Sequence, residues 1–132
     1  MEEILLLGTG GHAHSVADSI EQGGKYHIAG FLDLEEKKGL RYKEYEVIGT
    51  DDDLEELYKK GIRNAFVTLG YMGKGTVRDA LYDKIKKSGY HLPNIIDPSA
   101  AVAPDVKMGE GIFVGKQAVV NAGARIGDMC II

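Results

Sequence analysis

Residues 108–132, MGEGIFVGKQAVVNAGARIGDMCII, repeat every six residues. They show neither the strict alternation of a half-buried strand nor the 3.6-residue stripe of an amphipathic helix. Counted from residue 96, every sixth position is aliphatic or Met: Ile96, Val102, Met108, Val114, Val120, Ile126 and Ile132. Four places after the first six of these stand Ala100, Val106, Ile112, Ala118, Ala124 and Cys130, apolar and mostly small. One place after them stand Asp97, Ala103, Gly109, Gly115, Asn121 and Gly127, which suit bends. Hexapeptide periodicity is the signature of a parallel β-helix, in which each unit supplies a short strand and a turn. Three units close one triangular coil, so residues 96–131 form two coils. The sixth-position side chain points inward, and the small residue four places later fits a crowded corner. Cys130 then packs inside as an inert thiol. Ile132 opens a further unit, and an uncapped last coil exposes apolar surface and strand edges. The expectation is a C-terminally truncated chain whose natural form continues beyond Ile132.

Upstream, strands and helices alternate. Ile4-Leu5-Leu6-Leu7 is a short apolar run of the kind buried on both faces of a sheet. After Gly8-Thr9-Gly10-Gly11, a helix follows with Val16, Ala17 and Ile20 on one face, stopped by Gly23-Gly24. A second strand reads 27–32 and ends at Asp33. Residues 34–50 look like a charged, irregular surface excursion. Thr50 and three aspartates open a helix through Lys60, and a third strand covers 65–69. A last helix from about residue 75 to 88 would bury Val77, Ala80, Leu81 and Ile85. Such repetition implies a parallel sheet with right-handed crossovers. The fold class is therefore α/β plus β-solenoid. A small Rossmann-like βαβαβ domain (1–92) leads into a left-handed parallel β-helix (93–132).

Ligands of such sheets sit at the carboxyl ends of the strands, here Gly8, Asp33 and Gly70. Gly8, Gly10 and Ala13 keep the G-x-G-x-x-G/A spacing between a strand and a helix. Glycines let the backbone N–H groups approach a phosphate, and the helix N-terminus adds a partial positive charge. Asp33 stands where an acid binds a ribose hydroxyl, although a turn that merely packs helix on sheet has the same pattern. With one βαβαβ half before the sequence changes near Tyr90, a mononucleotide or half a nucleotide sugar fits better than NAD. His12, in the turn, suits a phosphate or sugar hydroxyl, whereas His14 suits a half-exposed helical position. Residues 70–76 fail the P-loop spacing and read as a flexible turn, with Lys74 and Arg78 as optional phosphate neighbours for which the solvated reading is preferred.

The 132 residues carry a net charge of −4, which gives no reason to expect nucleic acid or anionic membrane as a partner. One cysteine excludes an internal disulfide and suits a reducing cytoplasm, so a cytoplasmic location is expected. No apolar run approaches a membrane span, and no residue cluster has metal-ligand spacing.

G-x-G-G-H-A-x-x-V at 8–16, F-L-D at 31–33, V-I-G-T-D at 47–51 and the P-S-A…A-P…G…G tail together resemble a known family. It is that of the hexapeptide-repeat sugar O- and N-acetyltransferases, including sialic-acid O-acetyltransferases and UDP-amino-sugar N-acetyltransferases of bacterial glycan synthesis. The resemblance implies a homotrimer built through the β-helix, acetyl-CoA held between neighbouring β-helices, and a UDP-sugar or sialic acid acceptor on the N-terminal domain. It places Gly10, Gly11, His12 and Ala13 at the diphosphate, Asp33 and Leu34 by ribose or base, and Gly70 across the same crevice. The family's general base is a histidine one or two hexapeptides further on, whereas the last histidine here is His91. The residues alone also allow a non-catalytic nucleotide-binding and oligomerisation module.

Overall fold

The computed structural model describes residues 1–70 and 76–132. Strand β1 (Glu2–Leu7) carries the run Ile4–Leu7, and its four side chains are buried. Successive side chains leave a strand on opposite faces. Ile4 and Leu6 accordingly pack with Ala13, Val16 and Phe31, while Leu5 and Leu7 pack with Leu54, Ala65 and Ile85. Helix α1 (Gly11–Gly23) covers the first face. It ends at Gly24 in the left-handed conformation, φ 69°, which lets the Gly24 N–H donate to the Ile20 carbonyl at 3.1 Å. Helices α2 (Leu54–Lys59) and α3 (Thr76–Lys87) cover the second face. Strands β2 (Tyr26–Leu32) and β5 (Asn64–Val67) flank β1, both parallel to it.

Residues 34–50 are not the irregular excursion expected. They hold β3 (Arg41–Tyr42) and β4 (Tyr45–Gly49), which widen the sheet to five strands in the order β3-β4-β2-β1-β5. β4 runs parallel to β2 and β3 antiparallel to β4, so the sheet is mixed. The hairpin is held by apolar contact: Val47 is buried, and the rings of Tyr42 and Tyr45 lie 5.0 and 6.3 Å from that of Phe31. Lys43, Glu44 and Glu46 interleave with these residues and dilute the strand pattern. The inner side of α3 also differs from expectation. Val77 is 60% exposed and Ala80 is exposed, while Arg78 and Ile85 are buried. Arg78 is therefore no solvated neighbour. Lys74 and most of the turn read over 70–76 lie outside the described residues.

The second half forms three two-stranded parallel ladders. β6 (Ile95–Ile96) pairs with β9 (Phe113–Val114), β7 (Ala101–Val102) with β10 (Val119–Val120), and β8 (Lys107–Met108) with β11 (Arg125–Ile126). Partners such as Ile95 and Phe113 are three hexapeptides apart, a pairing compatible with the start of a β-helix. Side chains rung the corners at the same spacing. Asn94 Oδ1 accepts from the Ile112 N–H, Ser99 Oγ from Gln117, Asp105 Oδ1 from Gly123 and Asp128 Oδ1 from Glu110, each at 2.9–3.0 Å.

Inside, Ile112, Val114 and Val120 are buried and Val102, Met108, Ala118, Ala124, Ile126 and Cys130 pack around them. Cys130 is half-buried. Ile96 and Ile132, at the two ends of the stack, are 39% and 46% exposed. Outward positions divide by face. Ile95 and Phe113 join the core on the α1 side, Lys107 and Arg125 carry charge, and Val119 is 66% exposed. Met129 reaches the other core, beside Leu5 and Leu92, so the two halves share both hydrophobic clusters. Among the described residues no helix is long and apolar enough to cross a membrane.

Candidate functional site

β1 and α1 join through Gly8-Thr9-Gly10, at the point where connections leave β1 for β2 on one side and reach β5 on the other. This is where an open α/β sheet leaves a crevice at the carboxyl ends of its strands. Gly8 has φ +117°, and a Cβ there would lie 2.6 Å from Leu69 Cδ2. Its N–H donates to the Leu32 carbonyl at 2.9 Å, and its own carbonyl accepts the Thr68 hydroxyl at 2.6 Å. The turn is thus tied to the ends of β2 and β5.

Asp33 ties it a second time. Oδ2 accepts from the Thr9 N–H at 2.9 Å and the Thr9 hydroxyl at 2.6 Å, while Oδ1 accepts from the Leu34 N–H at 2.7 Å. Burial pushes the Asp33 carboxyl up, but the hydrogen bonds from Thr9 and Leu34 and the Lys37 charge outweigh it, leaving the carboxyl below its ordinary value. Asp33 and Leu34 line a crevice of about 530 Å³ with Gly8, an apolar floor of Leu7, Leu32 and Leu69, and Val77 and Leu81 from α3. Glu35, Asp51 and Asp52 make one rim acidic. An uncharged, flat group suits that end; a phosphate does not.

The other candidate residues stand at the start of α1. Gly10 and Gly11 are exposed, whereas the Ala13 side chain is wholly buried in the core, so Ala13 offers a ligand only its backbone. A small residue there lets the helix pack closely on the sheet. His12 and Gly70 meet: a Cβ on Gly70 would lie 3.6 Å from His12 Cβ. The His12 ring stands edge-on to Phe113, centroids 5.3 Å apart at 81°. Its Nε2 is buried with no hydrogen-bond partner among the described residues. Burial, then the Arg78 charge, lowers the His12 pKa, so the imidazole is neutral at pH 7 and can donate or accept one proton.

Two participants escape sequence reasoning. Tyr42, from the hairpin, donates its hydroxyl to the Gly10 carbonyl. His14 Nδ1 lies 3.1 Å from the same hydroxyl oxygen, and the two rings meet edge to face at 5.4 Å. Lys116, from the turn after β9, reaches Asp18 at 2.7 Å and Asp97 at 2.9 Å. It lines a second cavity of about 390 Å³ with His14, Ser15, Lys43 and Phe113. A tyrosine in a charged segment and a lysine in a hexapeptide turn carry no local signal; only the fold brings them to α1. Among the described residues no group of three His, Cys, Asp or Glu side chains could hold a metal ion.

Comparison with known proteins follows this geometry. The family model of the PglD N-terminal domain matches residues 3–85, more than half of the chain. Perosamine N-acetyltransferase from Caulobacter crescentus, solved as a mutant with CoA and GDP-perosamine, superposes with a TM-score of 0.89 and 33% identity. The alignment covers 100% of this chain and 60% of that one. The acetyltransferase domain of PglB from Neisseria gonorrhoeae, in complex with acetyl coenzyme A, gives a TM-score of 0.84 at 27% identity. That alignment covers 99% of this chain and 61% of the other. UDP-3-O-acylglucosamine N-acyltransferase from Leptothrix cholodnii is 50% identical over 40 residues, 30% of this chain and 12% of that protein. The chain thus spans less than two thirds of the length of each of these relatives. With a crevice at the strand ends of a mixed sheet, hexapeptide-spaced ladders behind it and the family model matched over residues 3–85, this chain belongs to the PglD N-terminal domain family, in keeping with its resemblance to the sugar acetyltransferases.

Proposed function

We propose that the chain is the acceptor-binding part of an acetyl-CoA-dependent amino-sugar acetyltransferase, joined to the first coils of a left-handed β-helix. Residues 1–92 would hold the acceptor and 93–132 would begin the helix. The observation that carries this is superposition of the whole chain on 60% of an enzyme crystallised with CoA and a nucleotide-linked amino sugar, at a TM-score of 0.89.

In this proposal the nucleoside enters the crevice at Asp33 and Leu34. The diphosphate meets the N–H groups of Gly10, Gly11 and His12 at the α1 N-terminus, where backbone amides and the helix dipole favour negative charge. Gly70 faces His12 across the end of the third parallel strand, and the neutral His12 Nε2 completes its bonding on the ligand. Because the neighbour carries a GDP-sugar, the acceptor class proposed is a nucleoside-diphosphate amino sugar, which widens the UDP-sugar implied by the resemblance and sets aside its sialic acid alternative. Acetyl transfer needs the sugar amine to lose a proton as it attacks the thioester carbonyl and thiolate departs. The base that takes it is assigned, as the family resemblance implies, to a coil following Ile132. The uncovered outward face around Val119 is the surface proposed for assembly into a trimer, and the lone Cys130 suits a cytoplasmic protein.

Calorimetric titration of the chain with GDP, UDP and their 4-amino-sugar conjugates tests this. Micromolar binding of at least one is expected. Absence of heat with all of them at millimolar concentration refutes it.

A further inference from the structure

The Gly10–Gly11 peptide lies between two residues without side chains, so no side chain of its own holds its orientation. Rotation of a peptide plane needs coupled changes in the two dihedrals that flank it, and glycines on both sides make this cheap. Here the plane is held from outside. The Gly10 carbonyl accepts the His14 N–H at 3.3 Å, the first turn of α1, and the hydroxyl of Tyr42. In a trans peptide the carbonyl and the following N–H point in opposite directions. Holding the Gly10 carbonyl towards Tyr42 therefore aims the Gly11 N–H away from it.

Tyr42 is itself braced. Its ring stacks edge-on against Phe31 at 5.0 Å and against His14 at 5.4 Å. The hairpin that carries it is tied to the last turn of α1, where Lys43 Nζ meets Glu21 at 3.0 Å and the Tyr45 hydroxyl donates to the same carboxylate. A tyrosine hydroxyl has one proton, and that proton is used on Gly10. His14 Nδ1, 3.1 Å away, must then be the donor to the Tyr42 oxygen, which selects the Nδ1–H form of the ring.

We infer that Tyr42, backed by His14, is a positioning residue that locks the Gly10–Gly11 peptide with its N–H presented to the phosphate of the ligand. The inference rests on the nucleotide-binding proposal above and adds to it a residue from the hairpin. It explains why a strand pair at the sheet edge reaches across to the helix start.

Three proteins test it: wild type, Tyr42→Phe and Tyr45→Phe. The second keeps the ring on Phe31 and loses only the hydroxyl; the third loosens the hairpin without touching Gly10. Titration with GDP and UDP should show Tyr42→Phe binding about five- to tenfold more weakly, the scale of one lost hydrogen bond, with Tyr45→Phe within about twofold of wild type. In ligand-free ¹⁵N spectra, the Gly11 amide of Tyr42→Phe should broaden by exchange and His14 should lose its Nδ1–H signature. Tyr45→Phe should keep both signals. Wild-type affinity together with an unbroadened Gly11 amide in Tyr42→Phe overturns the inference. If wild type binds neither the nucleotides nor their 4-amino-sugar conjugates, the functional proposal fails, and the ligand-free spectra still decide the lock: an unchanged Gly11 and His14 in Tyr42→Phe overturns it.

Discussion

Replacing Asp97 tests what joins the sheet half to the ladder half. Asp97 is 2% exposed, one place after the end rung Ile96. Its Oδ2 accepts the Ser19 hydroxyl of α1 at 2.6 Å and Lys116 Nζ at 2.9 Å, while Oδ1 accepts the Ser99 hydroxyl at 2.7 Å and its N–H at 2.9 Å. In Asp97→Ala, Lys116 keeps Asp18 and is 55% exposed, so its charge is not stranded. The loss falls on Ser19, itself 2% exposed, and on the turn at Ser99. One buried hydroxyl without its acceptor and two lost charge-assisted bonds amount to about 3 kcal/mol. For a chain of this size that lowers Tm by roughly 10 °C. Asp97→Asn keeps the shape and loses the charge, at about 1–2 kcal/mol.

A pH dependence follows with a definite sign. The hydrogen bond from Ser19, then that from Lys116, holds the Asp97 carboxyl well below the ordinary carboxylate range against the opposing effect of burial. A depressed folded-state value stabilises the protein above the unfolded value, and that contribution disappears as pH falls. The gap in Tm between wild type and Asp97→Asn should therefore be full at pH 7 and shrink below about pH 4. Thermal melts by circular dichroism at several pH values read both effects. A melting point for Asp97→Ala within about 2 °C of wild type refutes the linkage, as does a gap that stays constant down to acid pH.

Other outcomes can be checked in the same way. Phe113→Ala should cost about 3 kcal/mol in urea unfolding, because the ring is 5% exposed and fills the space between α1 and the ladders. Gly8→Ala forces a φ of +117° on a side-chain residue and drives its Cβ into Leu69, so a loss of about 2 kcal/mol is expected. His12→Ala should weaken the nucleotide that wild type binds by about tenfold while leaving the Tm near wild type, measured by calorimetry and melts in parallel. Val119→Glu puts a charge on a residue already 66% exposed; it should leave the fold intact and shift any trimer to monomer in light scattering.

Periodicity made much of this legible without coordinates. A six-residue count over 96–132 fixes which side chains face inward, because identical units stack identically and the pattern repeats in the chain itself. The run Ile4–Leu7 and the glycine turn after it announce a buried strand and a sharp turn for equally local reasons. The strand pair in 34–50 was hidden, since its apolar residues are split by lysine and glutamates and only contact with Phe31 selects them. Tyr42 and Lys116 were hidden for the same reason: their partners are distant in sequence.

Local repetition and turn chemistry thus determined the two kinds of architecture and put Gly10, Gly11, His12, Asp33, Leu34 and Gly70 around the carboxyl ends of the strands. What the tertiary structure alone decided is how those residues are held. Asp33 spends its oxygens on Thr9 and Leu34, Tyr42 takes the Gly10 carbonyl, and Phe113 and Asp97 bring the ladders onto α1. Apart from the bond to the neighbouring Leu34, these contacts join residues 24 to 101 positions apart, and no short window of sequence contains both partners.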